Sequence, residues 1–257
     1  MNMAFRPLAG RRGLVVGLAD EDTIAWGCAR SASALGARLV LACLNEEAAA
    51  KVALLAAQTG APLRTCNAEQ PGALEAMIDV AATQLGGFDF VVHSSPLAPR
   101  TELCGGVNGN STDDVLQAMR AACLSFAKVA RLCGAHMPHG GALVTTSYFG
   151  TDDGAPRNGR TGTAKAAFES IVRYLALELG PWGIRVHAVS QGPAPTRVAV
   201  RHPRFDPLTG DAAPVAPPKR AVGHDRIGDC LAFLVGPDGI GMTGRTLSVD
   251  TCAREIQ

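Results

Sequence analysis

The sequence predicts a Rossmann-type doubly wound α/β fold: one parallel sheet, covered by helices on both faces, in a single domain spanning residues 1–257. Three observations carry this expectation. Short apolar runs alternate with longer amphipathic stretches along nearly the whole chain. The short runs are apolar at successive positions, as strands buried on both faces require. Glycines such as Gly36 and Gly60 follow amphipathic stretches where a helix should end.

The elements follow in order. Gly13–Leu18 (GLVVGL) is a short buried strand. Thr23 is placed to cap a helix over Ile24–Leu35, which Gly36 closes. Arg38–Cys43 is the second strand, and Glu46–Thr59 an Ala- and Leu-rich helix ended by Gly60. Pro62–Cys66 is a short strand, Gly72–Leu85 a helix and Phe88–His93 the fourth strand. A long helix is expected over Thr112–Cys133, a strand over Ala142–Thr146 and a helix over Thr163–Leu179. Ile184–Val189, a helix over Ile227–Val235 and the strand Thr246–Val249 complete the sheet. Right-handed crossovers turn this alternation into a doubly wound sheet. The Pro- and Arg-rich stretch at about 195–220 is expected to be a mobile substrate loop.

Bulk properties remove several function classes. The formal net charge is +1 with no dense basic run, so neither nucleic acid nor a membrane surface is an expected partner. No apolar stretch approaches the ~20 residues a membrane span needs. Residues 1–12 lack the apolar core of a signal peptide. Eight cysteines include no C-x-x-C pair and mostly sit in apolar patterns. They are expected to be reduced core residues of a cytoplasmic protein, with no metal site. His136 and His139 flank Met137-Pro138 before a Gly-Gly turn and are expected to lie in a loop.

In a doubly wound sheet, a dinucleotide pyrophosphate sits at the first strand-to-helix turn, against backbone N–H groups and the helix dipole. That turn runs from Gly17 to Gly27 and does not spell G-x-G-x-x-G. By its letters alone it is equally a nucleotide site and an ordinary loop. Its Thr23-Ile24-Ala25-Trp26-Gly27 run, however, resembles the Ser-Ile-Ala-aromatic-Gly turn of bacterial NADH-dependent enoyl-acyl-carrier-protein reductases, a divergent branch of the short-chain dehydrogenases. The resemblance continues in order over residues 8–250. It includes Thr65-Cys66-Asn67, Phe88-Asp89, Val92-His93-Ser94 and Ser147-Tyr148-Phe149-Gly150. It goes on through Gly162, Ala164 and Lys165, then Gly180-Pro181, Gly183-Ile184-Arg185-Val186, Ser190 and Gly192-Pro193.

The resemblance implies a site. The cofactor would lie against Gly17, Ala19, Thr23, Ile24, Leu44, Asn67, Ala68, Ser94, Ser95, Lys165, Gly192, Pro193, Ala194 and Thr196. Substrate would meet Ala98 and Tyr148, and Tyr148, Asn158 and Lys165 would carry the chemistry. The family also implies a homotetramer, which the small, apolar faces of Ala118–Cys133 and Ala164–Leu179 suit. NADH is expected over NADPH, because Cys43-Leu44-Asn45-Glu46-Glu47 offers no base to a 2′-phosphate and two acids against it.

The departures are chemical. The family's tyrosine, seven residues before the lysine, is Asn158 here, and the Tyr-x-x-x-Lys position of other short-chain dehydrogenases is Thr161. Tyr174 follows Lys165 by nine residues, so on one helix it points ~180° away. Only Tyr148 remains as a phenol for the lysine's site. Pro96, Leu44 and Thr251-Cys252 replace a glycine, a glutamine and a Gly-Gly of the family. Ketone reduction needs a full proton at the developing alkoxide, which Asn158 cannot deliver. Enoyl-thioester reduction needs a hydrogen bond to an enolate oxygen, which Asn158 or Tyr148 can supply. Three readings therefore stand: an enoyl-thioester reductase, a reductase of another small substrate, and a non-catalytic dinucleotide-binding protein.

Overall fold

The computed structural model describes residues 6–68, 70–94, 111–148, 159–191 and 223–249. Seven strands are β1 (Arg12–Leu18), β2 (Arg38–Cys43), β3 (Leu63–Thr65), β4 (Phe90–His93), β5 (Gly141–Tyr148), β6 (Ile184–Gln191) and β7 (Arg245–Val249). They form one sheet in the order β3-β2-β1-β4-β5-β6-β7, every pair parallel. This is the Rossmann-type doubly wound sheet expected from the sequence. Its order reverses direction between β1 and β4, the crevice where such sheets bind ligands.

Helices α1 (Ile24–Ala34), α2 (Glu46–Thr59), α3 (Ala73–Leu85), α4 (Thr112–Met119), α5 (Ser125–Gly134), α6 (Gly159–Leu179) and α7 (His224–Val235) cover the two faces. Successive strand residues point to opposite cores. Leu14, Val40, Val91, Leu143 and Val186 meet α3, α5 and α6. Val15, Leu41, Phe90, Val92, Val144 and Val189 meet α1, α2 and α7. The apolar runs of the sequence are therefore strands buried from both sides. On the second face α1 crosses α7 backbone to backbone. A Cβ on Gly27 would lie 2.6 Å from the His224 carbonyl oxygen, and one on Gly228 2.5 Å from that of Gly27.

Several boundaries differ from the sequence expectations. The long helix expected over Thr112–Cys133 is interrupted by a π turn at Arg120–Leu124, which separates α4 from α5. Helix α6 begins at Gly159, four residues before the expected Thr163. Strand β5 runs Gly141–Tyr148 and β6 reaches Gln191, both beyond their apolar stretches, because ladder pairing continues through Ser147–Ser190 and Tyr148–Gln191. Backbone pairing does not require apolar side chains, so periodicity underestimates such strands.

At the switch point β1 and β4 touch. The Ser94 N–H donates to the Val16 carbonyl at 2.9 Å. Gly17 sits at φ +108°, and a Cβ there would fall 1.4 Å from the Ser94 carbonyl oxygen. The β1–β2 register slips between Val16 and Leu18 at the same place. Both the dihedral angle and the contact exclude any side chain. Gly17→Ala is expected to destabilise the chain by about 3 kcal/mol or more through backbone strain and overpacking. A thermal midpoint equal to that of the unaltered chain would refute this.

Two imidazoles are fully enclosed. His187 on β6 has no exposed surface, and neither ring nitrogen has a hydrogen-bonding partner among the described residues. Burial, then the Arg185 charge, lowers its pKa to about 4 against a smaller opposing pull from the Met242 backbone. Burial and then the Lys165 charge lower that of His93 to about 3. Below the ordinary value of 6.5 the unfolded chain binds these protons and the folded chain does not. Stability is thus complete above pH ~6.5 and falls with acid, by up to ~1.4 kcal/mol per pH unit for each imidazole. Chemical denaturation between pH 7 and 4.5 should show this slope, and His187→Leu should flatten it by one proton. An unchanged slope in that variant would contradict the assignment.

Candidate active site

The C-terminal ends of β1, β4 and β5 and the N-terminus of α1 converge on one edge of the sheet. Thr23 caps α1 as the sequence predicts. Its Oγ1 accepts from the Trp26 N–H at 3.4 Å and donates to the Asp20 carbonyl at 2.7 Å. The cap fixes how the Gly17–Asp22 turn meets the helix and leaves the positive end of α1 facing the crevice. Ala19 is half-buried in that turn, and Ile24 is buried in the first turn of α1.

Strand β2 ends at the same edge. Leu44 follows it and is 54% exposed. Asn45 accepts from the Ala48 N–H at 2.9 Å and so caps α2. Glu46 accepts from the Thr65 hydroxyl at 2.9 Å, and Glu47 pairs with Lys51. Asn67 is half-buried and Ala68 exposed just after β3.

Lys165 is the centre of the arrangement. It is 6% exposed, although an isolated lysine is seldom buried. Its Nζ donates to the Thr146 carbonyl at 2.7 Å and lies 4.9 Å from the centre of the Phe168 ring. Burial pulls its pKa down to about 8, while the Glu169 carboxylate opposes that fall.

Around it runs a seam of buried polar groups. The Thr145 hydroxyl donates to the His93 carbonyl at 3.0 Å, so it accepts from the His93 ring at Nδ1, 3.2 Å away. That assigns the proton to Nδ1 and leaves Nε2 to accept from Ser125 Oγ at 3.1 Å. Ser94 is buried at 9% exposure, with its Oγ 3.5 Å from the Thr146 hydroxyl. Ser147 Oγ donates to the buried Glu169 carboxylate at 2.5 Å.

The structure thus brings Gly17, Thr23, Ile24, Ser94 and Lys165 to one edge, with Leu44 and Asn67 at its outer end. Tyr148 is the last residue of β5, opposite Gln191 of β6. Asn158, Ser95, Pro96, Ala98, Gly192, Pro193, Ala194, Thr196, Thr251 and the 195–220 loop lie outside the described residues. Sequence reasoning passed over Glu169, Ser125, Thr145 and Ser147. Glu169 had a legible signal. Lys165, Phe168, Glu169 and Val172 follow the i, i+3, i+4, i+7 spacing of a buried helical stripe, so its carboxylate falls on the core side. The hydroxyls had none, since Ser and Thr are at home in many settings.

The six cysteines among the described residues are unpaired, and no His/Cys/Asp/Glu group suited to a metal occurs among them. His136 lies outside the secondary-structure elements and meets Asp79 at 3.0 Å. No described helix is long and apolar enough to cross a membrane.

Residues 17–251 match the family described as Enoyl-(Acyl carrier protein) reductase. Enoyl-[acyl-carrier-protein] reductase [NADH] 2 of Rhizobium meliloti is 33% identical over 243 residues, covering 94% of this chain and 91% of the relative. The Salmonella typhimurium NADH enzyme is 33% identical over 245 residues, covering 95% and 94%. Among solved structures, FabI of Candidatus Liberibacter asiaticus superposes with a TM-score of 0.93 at 30% identity, over 98% of both chains. The Anaplasma phagocytophilum reductase, solved in complex with NAD, superposes with a TM-score of 0.90 at 31% identity, over 97% of this chain and 96% of that one. Sequence and fold agree over almost the full length, and the chain belongs to the enoyl-(acyl carrier protein) reductase family.

Proposed function

We propose that the protein is an NADH-dependent reductase of α,β-unsaturated acyl thioesters in the cytoplasm. The observation that carries this reading is the buried Lys165, held by the Thr146 carbonyl beside the switch point of a sheet whose family reduces enoyl thioesters. The residues present fit a dinucleotide. Gly17 lets the ends of β1 and β4 close at the switch point, where a Cβ would collide with the Ser94 carbonyl. The end of α1 offers N–H groups to a pyrophosphate. Glu46 and Glu47 follow β2 with no base among Leu44–Ala48, which favours a free ribose 2′-hydroxyl over a phosphate.

Bound NADH supplies a hydride to the β-carbon of the substrate. The chain's own groups do the rest. Lys165 holds the nicotinamide-side ribose hydroxyls and sets a positive potential at the site. Tyr148 or Asn158 supplies a hydrogen bond to the thioester oxygen, where charge collects as the enolate forms. Water then protonates the α-carbon. By resemblance to the family, Ser95, Gly192, Pro193, Ala194 and Thr196 are assigned to cofactor binding and Ala98 to the acyl chain.

The replacement of a tyrosine by Asn158 sets the rate. Losing one oxyanion donor costs ~10²–10³ in kcat, so a slow enzyme is expected. Single-turnover NADH oxidation with a crotonyl thioester should be abolished by Lys165→Ala, reduced by Tyr148→Phe and raised by Asn158→Tyr. NADPH should bind more weakly than NADH in the accompanying titration. One background rate for all four chains, with NADH still bound, would make this a non-catalytic binding protein.

The assembly is a homotetramer in this reading. Val115, Leu116 and Leu124 on the α4–α5 segment, and Tyr174 and Leu177 on α6, are 44–75% exposed, and such faces suit packing against further copies. Light scattering at micromolar concentration should give four chain masses. A monomer mass would overturn the assembly.

A further inference from the structure

Lys165 and Glu169 lie one turn apart on α6, and both are buried at 6% exposure. Each is tied to β5, at consecutive residues. Lys165 Nζ donates to the Thr146 carbonyl at 2.7 Å, and Glu169 accepts from Ser147 Oγ at 2.5 Å. The next residue of β5 is Tyr148. Two rungs therefore join α6 to the last turns of the strand that carries the phenol.

A buried ammonium needs a compensating charge, or it loses its proton. The ionisable groups acting on Lys165 can be named from every described element around it. His93 on β4 is neutral, its pKa lowered to about 3. Cys123 in the π turn has its thiol pushed up by burial, and its Sγ donates to the Ala164 carbonyl at 3.5 Å, so it carries no charge at neutral pH. Glu169 is the one anion of the set.

We propose that Glu169 is the positioning residue of this site: the buried counter-charge that keeps Lys165 protonated, fixed in place by Ser147 so that the lysine and the end of β5 move as one unit. It touches neither substrate nor cofactor and acts through Lys165 and Ser147. The assignment rests on the reading of Lys165 as the cation of the site. Its cost is a carboxylate in the core, which the Ser147 hydroxyl partly satisfies. Its benefit is that a cation is held behind the site without a solvated partner that salt could screen.

The test follows the proton on Lys165 in the full-length chain without cofactor. Trace acetylation by acetic anhydride across pH, read at Lys165 by mass spectrometry, gives the midpoint at which its amine becomes reactive. The exposed Lys51 serves as the reference. In Glu169→Gln, which keeps the shape and the Ser147 hydrogen bond, the midpoint should fall from about 8 to about 7, the size expected when an opposite charge is removed nearby. The NADH dissociation constant should then weaken more at pH 8 than at pH 6. In Glu169→Asp, which keeps the charge and withdraws it from Ser147, the fall should be smaller. An unchanged midpoint in a folded Glu169→Gln chain overturns the proposal. Should that chain fail to fold, Ser147→Ala, which frees the carboxylate from its anchor, decides, and an unchanged midpoint there overturns the proposal equally. A shifted midpoint in a chain that reduces no enoyl thioester supports the counter-charge and removes only the substrate assignment.

Discussion

The site depends on one close approach, that of Gly17 to the Ser94 carbonyl at the point where the sheet changes direction. Strands β1 and β4 cannot both reach the crevice edge if a side chain stands between them. With the side chain absent, the Ser94 N–H closes on Val16 and the strand ends lock. The α1 turn and the Thr23 cap take their positions from that junction. The turn does not spell G-x-G-x-x-G, and what this junction requires is the one glycine at Gly17.

Beside that junction, one edge of the sheet concentrates polar groups that the rest of the core avoids. Thr145, Thr146 and Ser147 are consecutive and buried on β5, next to a neutral His93 and a charged Lys165. A neutral imidazole is compatible with a neighbouring ammonium, whereas two cations would repel. Donors and acceptors around it are nearly matched one to one, which fixes tautomer and rotamer together. Buried polar networks of this kind hold geometry tightly when every member is satisfied. The Phe126 ring, 5.4 Å from His93 and 5.5 Å from Phe168, seals the seam on its apolar side.

Sheet and helices were legible in the sequence because strands buried on both sides are apolar at every position and need no register to be seen. The apolar runs of β1, β2 and β4 lie where expected, and Thr23, Asn45 and Gly60 cap the helices the pattern outlined. The ends of β5 and β6 were not legible, since Ser190 and Gln191 pair through backbone that composition does not report. Helix α6 starts in Gly-Arg-Thr-Gly, a stretch with no apolar stripe and two glycines, which are poor helix formers. Of the site, Lys165 could be placed by resemblance and its small apolar neighbours. Its carboxylate partner was visible only as a heptad position. The Ser125–His93–Thr145 chain joins three elements far apart in sequence, so no local pattern encodes it.

The π turn at Arg120–Leu124 acts as a phase slip within a continuous helical run. In an unbroken α-helix Val115 lies eleven residues before Phe126, within ~20° of the same direction. Phe126 is fully buried, yet Val115 is 44% exposed. Wider winding over five residues turns the earlier segment away from the core by most of a quarter turn. One helix thereby shows two outlooks, an inward stripe on α5 and an outward apolar one on α4. Winding, rather than length, is therefore the sensitive variable here. Rewinding the slip as α-helix at unchanged length would bring Val115 back toward the core and strip the outward stripe of its hydrophobic edge, whereas removing a single residue would leave Val115 ~80° from Phe126 and still facing outward.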